Sequence, residues 1–483
     1  MITINNDNLI RNYVRLLLKR RVVVSILLAL ITIFAAINAS KVTFDASIEI
    51  WFLKDDEDLL IYQDFLDQFE ADEIALVGIF AEDIFHPDVL NEIDRVTKSL
   101  QDTPNVRRVT SLTTIKVLRK NDEELTFLPL LSLFPISIEQ ADAAKQEVIN
   151  NQLIRRSLVA EDGSATAVVV EVEHAANDFK SKVQLVQEMQ RITSESKSTS
   201  ITFRLAGIPV LDEAFFNYSK RDFLLYLPLA VLLVLILTYL IFHRLSAVML
   251  PLTVVGITLI WVFGIMGAIG LKITVVTTAL GVLVLAVGVA DTVHVLSEYY
   301  ERLSKGEERS EAIENSICRL FAPCFFTSAT TAVGFLALLS SDLVPIKEFG
   351  VLAAVGVLSA FVLTLIYLPI ALSFESKPDA IYLSKRNNDI IGRIVAQMTR
   401  FPDAKPWLII VISAGIFGVS VLGITKLQIG ANPLNYFPES AQVRQDTIAV
   451  DEALGGSASL EFLVRAKDGK LTEPAVLKQL EAF

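Results

Sequence analysis

The chain has 483 residues, 52% of them hydrophobic, and a formal net charge of −12, with a mean hydropathy of +0.50. So apolar an average excludes an ordinary soluble globular domain, and the acidic balance argues against a nucleic-acid partner.

Crossing a hydrocarbon core takes about 20 apolar residues. Residues 22–39 are the first stretch to qualify. Its basic lead-in resembles a secretory signal, but the small-residue run 36–40 is a weak cleavage site, so a retained anchor is the expectation. Further candidate spans are 223–242, 247–271, 273–296, 320–339, 349–372 and 407–424, seven in all. Arg11, Arg15, Lys19, Arg20 and Arg21 precede the first span. By the positive-inside rule the N-terminus is then cytoplasmic. Lys and Arg recur around 297–319 and 373–406, as that orientation requires. The plan is a cytoplasmic N-terminus (1–21), a first span (22–39), an exterior domain (40–221), five spans (222–374), a cytoplasmic linker (375–406), a seventh span (407–424) and the start of a second exterior domain (425–483). The two cysteines, Cys318 and Cys324, lie at the cytoplasmic end of the fifth span and read as free thiols.

Residues 40–221 alternate in pattern. Strands are expected at 73–81, 106–114, 165–173 and 201–207, and helices at 86–102, near 139–157 and at 179–196. Pro87 suits a helix start. The order is strand–helix–strand, then helix–strand–helix–strand, which predicts a ferredoxin-like α+β unit. Residues 115–138, with Pro129 and Pro135, read as an irregular excursion.

A repeat follows. The segment from Phe44 aligns with that from Ile429: Trp51-Phe52 match Tyr436-Phe437, Phe69 matches Leu454, and 74–81 match 459–466. In each copy a span lies just before. The chain restarts its own plan near residue 406, and the repeat predicts a fragment or truncated product of a two-half protein.

Span four places Asp291 and His294 three residues apart, on one helix face. An acid at span depth costs about 2.5–3.5 kcal/mol on the insertion scale and marks a pathway or relay. Two readings stay open here. In one, Asp291 and His294 form a proton relay; in the other, span four ends early and both lie at the interface. Thr327, Thr331 and Gly334 follow at i, i+4, i+7 on span five, where hydroxyls could reach Asp291, or small residues could simply pack. Gly288 on span four, with Gly350/Ala354 and Gly356/Ala360 on span six, predicts close helix approach. Gly264, Gly267 and Gly270 do the same for span three.

Span four, the segment 298–317 after it, and residues 326–372 closely resemble the resistance-nodulation-division (RND) exporter superfamily. The nearest branch is the MMPL-type group, with a five-span module like the sterol-sensing domain (SSD) of Patched. The resemblance implies an α-helical polytopic membrane protein with an exterior porter domain, in the cell inner (plasma) membrane. It implies export of hydrophobic or lipid-like molecules driven by the proton-motive force, with membrane lipids, protons, and homo-oligomer or periplasmic accessory partners. Relatives carry an acid where this chain has Ala290, so its relay, built on Asp291 and His294 with Thr327 and Thr331, departs from the family pattern. Two alternatives are a lipid-binding or sensing protein without pumping, and an export accessory resembling SecD/SecF. No enzyme signature stands out. The four histidines are scattered, and neither a P-loop nor a G-x-S-x-G is present, so no cofactor and no metal site is expected.

Overall fold

The computed structural model of the chain describes residues 3–45, 74–121, 124–151, 154–155, 157–172, 179–196, 198–375, 406–427, 430 and 432–456, with isolated positions at 60–61, 64, 473–474 and 476–478. Trp51, Phe52, Phe69, the segment 459–466 and the linker 376–405 lie outside the described residues. The chain divides into two units: Met1–Leu53 with Phe216–Ala431, and Lys54–Phe215 with Asn432–Phe483.

The second of these is a sheet covered on both faces. Strands β1 (Ile74–Phe80), β2 (Val106–Thr110), β5 (Ala165–Val172) and β6 (Thr202–Gly207) form one sheet in the order β2-β5-β1-β6. Every neighbouring pair is antiparallel. Side chains alternate across it with period 2. Ala75, Val77, Ile79, Val168 and Val170 face helices α3 (Pro87–Gln101), α4 (Ile138–Asn150) and α5 (Phe179–Ser194) in one core. Leu76, Ala165, Ala167 and Ala206 face the other way, onto Val450 and Leu454 of the C-terminal helix 442–454. Double burial explains why β1 reads as an unbroken apolar run.

Local signals set the boundaries. His86 caps α3 by accepting from the Asp88 N–H, with Pro87 in the first turn. Ser137 and Gln140 form a reciprocal capping box on α4. Arg95 binds Glu92 at 2.7 Å and donates to the Ile192 carbonyl at 3.0 Å, tying α3 to α5. Burial alone would raise the Glu92 carboxyl, but its bonds to Arg95 and Ser196 outweigh that and lower it. The expected excursion at 115–138 is instead a hairpin of β3 (Lys116–Asn121) and β4 (Glu124–Pro129), in register from Lys116↔Pro129 to Asn121↔Glu124. Its two six-residue strands are too short for periodicity to reveal.

The other unit is helical. Among the described residues, seven helices are long and apolar enough to cross a membrane. They are α2 (Arg21–Ala39), α6 (Ile208–Phe242), α7 (Leu245–Ala268), α8 (Leu280–Ser304, after a 3-10 turn), α9 (Arg309–Leu336), α10 (Val344–Phe374) and α11 (Pro406–Ile424). α6 begins directly after β6, so no linker separates sheet and span near residue 221. Gly207 makes the junction at φ +99°, where a Cβ would lie 2.3 Å from the Ile74 carbonyl oxygen. α2 lies against α7 through two of the glycines of span three: a Cβ on Gly264 would sit 2.6 Å from Ala35 O, and one on Gly267 2.0 Å from Asn38 O. Trp261 donates to Thr32 at 3.1 Å across the same seam.

The first residues are also structured. Thr3–Lys19 form a helix, α1. It packs Val14, with Ile10 and Leu18, against Ile313, Ile317 and Leu368 in the cluster at the bundle's end; Leu17 is buried as well. That end is crossed by ion pairs. Arg15 meets Glu314 at 3.0 Å, Arg302 meets Glu298 at 2.8 Å and Glu307 at 2.9 Å, and Arg319 meets Glu298 at 3.2 Å. The buried Glu375 carboxylate accepts from Arg244 at 3.2 Å, from Tyr300 at 2.9 Å and from Ser246.

Candidate functional site

α8 is the centre of the bundle, packed against α7, α9 and α10. It does not stop at Asp291. The helix runs on to Ser304, and Val295, Leu296, Tyr299 and Tyr300 beyond the acid are all buried. Asp291 is 7% exposed. Seven residues separate it from Glu298, the first member of the ion-pair network on α8, or about 10 Å at 1.5 Å per residue. From Thr364 on α10 to Glu375 the same reckoning is about 16 Å. The carboxyl therefore lies inside the apolar depth of the bundle, not at its charged end.

Its partners lie on α9. Ser328 donates to Asp291 Oδ2 at 2.9 Å. Buried Cys324, one turn before Ser328, shares that face. On the other side Thr292 meets Thr364 of α10 at 3.1 Å. Each hydroxyl also lies within reach of a carbonyl of its own helix, Thr292 at 3.1 Å from Gly288 O and Thr364 at 2.9 Å from Ala360 O, so one of the two can donate backward while the other donates across the contact. Asp291, Thr292, Ser328 and Thr364 thus form a polar layer across three helices. Among the described residues no Lys or Arg pairs with Asp291.

The expected hydroxyl partners are corrected. Thr327 is exposed and donates to Pro323 O at 3.1 Å and Cys324 O at 2.9 Å, on its own helix. Among the described residues Thr331 bonds backward, to Thr327 O at 2.7 Å. The inward stripe of α9 is Cys324, Ser328 and Ala332, one position from the expected Thr327, Thr331 and Gly334 stripe. One residue rotates the side chain by about 100°, enough to turn it from the interior to the outside. Ser328 was legible as a hydroxyl at i+4 from Cys324, but two flanking threonines made the same signal in a neighbouring register. His294, on α8, is exposed, and among the described residues no hydrogen bond ties it to Asp291.

The glycines divide. A Cβ on Gly288 would meet Ala360 Cβ at 3.2 Å, on Gly350 the Phe335 carbonyl oxygen at 2.5 Å, and on Gly356 a Val284 methyl at 2.8 Å. Gly334 has nothing within 4 Å and packs against no neighbour among the described residues.

Chemically, the layer offers one carboxyl that can exchange a proton, surrounded by hydroxyls that can donate or accept. Burying it without a cation is costly when it is charged, and its charged and neutral forms call for different hydrogen bonds. That is a switchable element. Among the described residues no group of His, Cys, Asp and Glu could hold a metal.

Seven helices long and apolar enough to cross a membrane among the described residues, three of them joined by a buried polar layer, define a multi-pass helical membrane protein. The profile of the MMPL family matches residues 66–392, well over half of the chain. The chain belongs to the MMPL family, the RND-type group its span motifs resemble. It is 23% identical over 362 residues to a Methanocaldococcus jannaschii protein, MJ1562, named as a membrane protein, covering 73% of this chain and 90% of that one. It is 25% identical over 304 residues to SCO6666 of Streptomyces coelicolor, also named as a membrane protein, covering 59% of this chain and 41% of that one.

Proposed function

We propose that this chain works in proton-driven export of hydrophobic or lipid-like molecules, with Asp291 as its proton carrier. The observation that carries the reading is the carboxyl of Asp291, buried mid-helix with a hydroxyl donor and, among the described residues, no Lys or Arg paired with it. A proton entering through it gains about 2.3 kcal/mol per 100 mV of membrane potential. Protonation changes what Ser328 and the neighbouring helix can bond, which links a charge change to helix packing. His294 is a tuner at most, since it lies outside the layer. The sheet unit is read as a ferredoxin-like porter domain outside the cytoplasm; its strand order and its paired crossover helices support this. The cation-rich end of the bundle, with Arg15, Arg21, Arg244, Arg302, Arg309 and Arg319, supports a cytoplasmic N-terminus in the inner (plasma) membrane. The chain has no catalytic role in this reading.

Everted vesicles energised to an interior-acid gradient test it. Gradient-dependent accumulation of the lipophilic dye N-phenylnaphthylamine should fall to background in Asp291→Asn, with membrane insertion unchanged, and persist in His294→Ala. Accumulation that survives Asp291→Asn would move the proton carrier elsewhere. Wild-type vesicles that bind lipid but accumulate no dye would favour a lipid-binding protein without a pump.

A further inference from the structure

Helix α1 has three faces rather than two. At 100° per residue, Ile10, Val14, Leu17 and Leu18 fall together; Ile10, Val14 and Leu18 meet the bundle, and Leu17 is buried. Asn8, Asn12, Arg15 and Lys19 fall on a second, polar face. Leu9, Tyr13 and Leu16 form a third stripe outside the buried clusters of the bundle; they are 67%, 40% and 55% exposed. A helix lying in water beside a bundle needs only the first two.

The position of α1 explains the third. Its Tyr13 hydroxyl donates to the Leu365 carbonyl at 3.4 Å, while Arg21 at the start of α2 donates to Ser373 at 3.2 Å. Residues 365 and 373 are eight apart on α10, about 12 Å. α1 therefore reaches inward from the charged end and lies at the level of the bundle's apolar flank. Its outer stripe leads into the exposed apolar side of α2, where Val22, Val23, Ile26 and Leu27 are also exposed. The charge is equally one-sided. Residues 1–21 hold five cations and one acid, Asp7. Arg15 is paired with Glu314 and Arg21 with Ser373 and the Phe374 ring, but among the described residues Arg11, Lys19 and Arg20 enter no ion pair.

We propose that α1 is a lipid-binding helix, which seats Leu9, Tyr13 and Leu16 among acyl chains and draws anionic phospholipid headgroups around it with the cations Arg11, Lys19 and Arg20. The stripe supplies apolar burial in the leaflet, and the cations supply preference for negative headgroups. The site also touches the polar layer indirectly. Tyr13 is bonded to the residue after Thr364, and Arg15 to α9, the helix that carries Ser328. Bound lipid thereby stabilises the placement of both helices that flank Asp291. The inference does not depend on the proton-carrier reading, and its test uses no transport.

The full chain, purified and placed in lipid nanodiscs, is the material. Native mass spectrometry after brief detergent release should find phosphatidylglycerol retained over phosphatidylcholine. R11Q/K19Q/R20Q should lose that preference, by roughly fivefold per cation removed, and raised salt should weaken it in the wild type. Leu16→Trp should add fluorescence that dibrominated phosphatidylglycerol quenches and aqueous iodide does not. Equal phosphatidylglycerol retention in the wild type and a folded triple variant would overturn the headgroup site. Iodide quenching of Leu16→Trp would place the stripe in water and overturn the lipid face. Protection from both quenchers, with a dimeric particle mass, would assign the stripe to a second copy of the chain instead.

Discussion

At the scale of single residues, Asp291 is defined by what meets it. The same α9 segment offers Thr327, Ser328, Thr330 and Thr331, and only Ser328 reaches the carboxyl. The threonines spend their hydroxyls on carbonyls of their own helix, as such residues commonly do in spans. Ser328→Ala should therefore lower proton-coupled dye accumulation about tenfold, equal to ~1.4 kcal/mol, close to the worth of one hydrogen bond to a carboxylate. Thr327→Ala and Thr331→Ala should stay within about 0.5 kcal/mol of wild type in stability and within twofold in accumulation. The vesicle assay reads all three side by side, and a Thr327→Ala defect equal to that of Ser328→Ala would contradict the observed register.

At the scale of elements, close approach is decided by glycines at particular seams. Gly264 and Gly267 let the backbone of α2 come against α7. Gly264→Ala should push α2 away and cost about 1–3 kcal/mol, seen as an earlier thermal transition of the detergent-purified chain. Gly334→Ala, facing open space on α9, should be neutral or raise stability by up to about 1 kcal/mol through helix propensity. Equal losses at both sites would show that propensity and not packing governs these positions. α1 belongs at this scale too. Its i, i+4, i+7 spacing of Ile10, Val14 and Leu17 was present in the sequence, but the neighbouring Leu9, Tyr13 and Leu16 blurred it into an apolar, basic lead-in.

At the scale of the molecule, the C-terminal helix α12 (Gln442–Leu454) completes the sheet unit. Arg204 of β6 meets Asp446 at 2.9 Å, Gln442 donates to the same oxygen at 2.7 Å, and fully buried Val450 lies where Gly78 leaves room. Residues more than 240 apart in sequence thus share one core. Arg204→Ala should strand the Asp446 carboxylate, cost about 1–3 kcal/mol, and hasten tryptic cutting at Arg444; unchanged cutting would make α12 a passive cover. The orientation proposal is tested on described residues in a chain whose Cys318 and Cys324 are replaced by Ala. An impermeant maleimide should label Asp162→Cys in intact cells and reach Lys305→Cys only after permeabilisation. The reverse order would invert the topology.

What the sequence determined by itself was whatever depends on one segment at a time. Seven spans follow from local hydropathy, the helices of the sheet unit from caps and 3.6-residue periodicity, the strands from alternation and double burial, and the candidate carboxyl from the cost of an acid at span depth. What only the tertiary structure decided was which faces meet. A one-residue shift rotates a helical side chain by about 100°, so Ser328 in place of Thr327 is invisible until α9 is set against α8. The hairpin β3–β4 was hidden because two six-residue strands leave too few alternations to stand out from a proline-containing loop. Which helix covers the outer face of the sheet, and through which residues, is carried by the folded chain and by no local pattern around either Arg204 or Asp446.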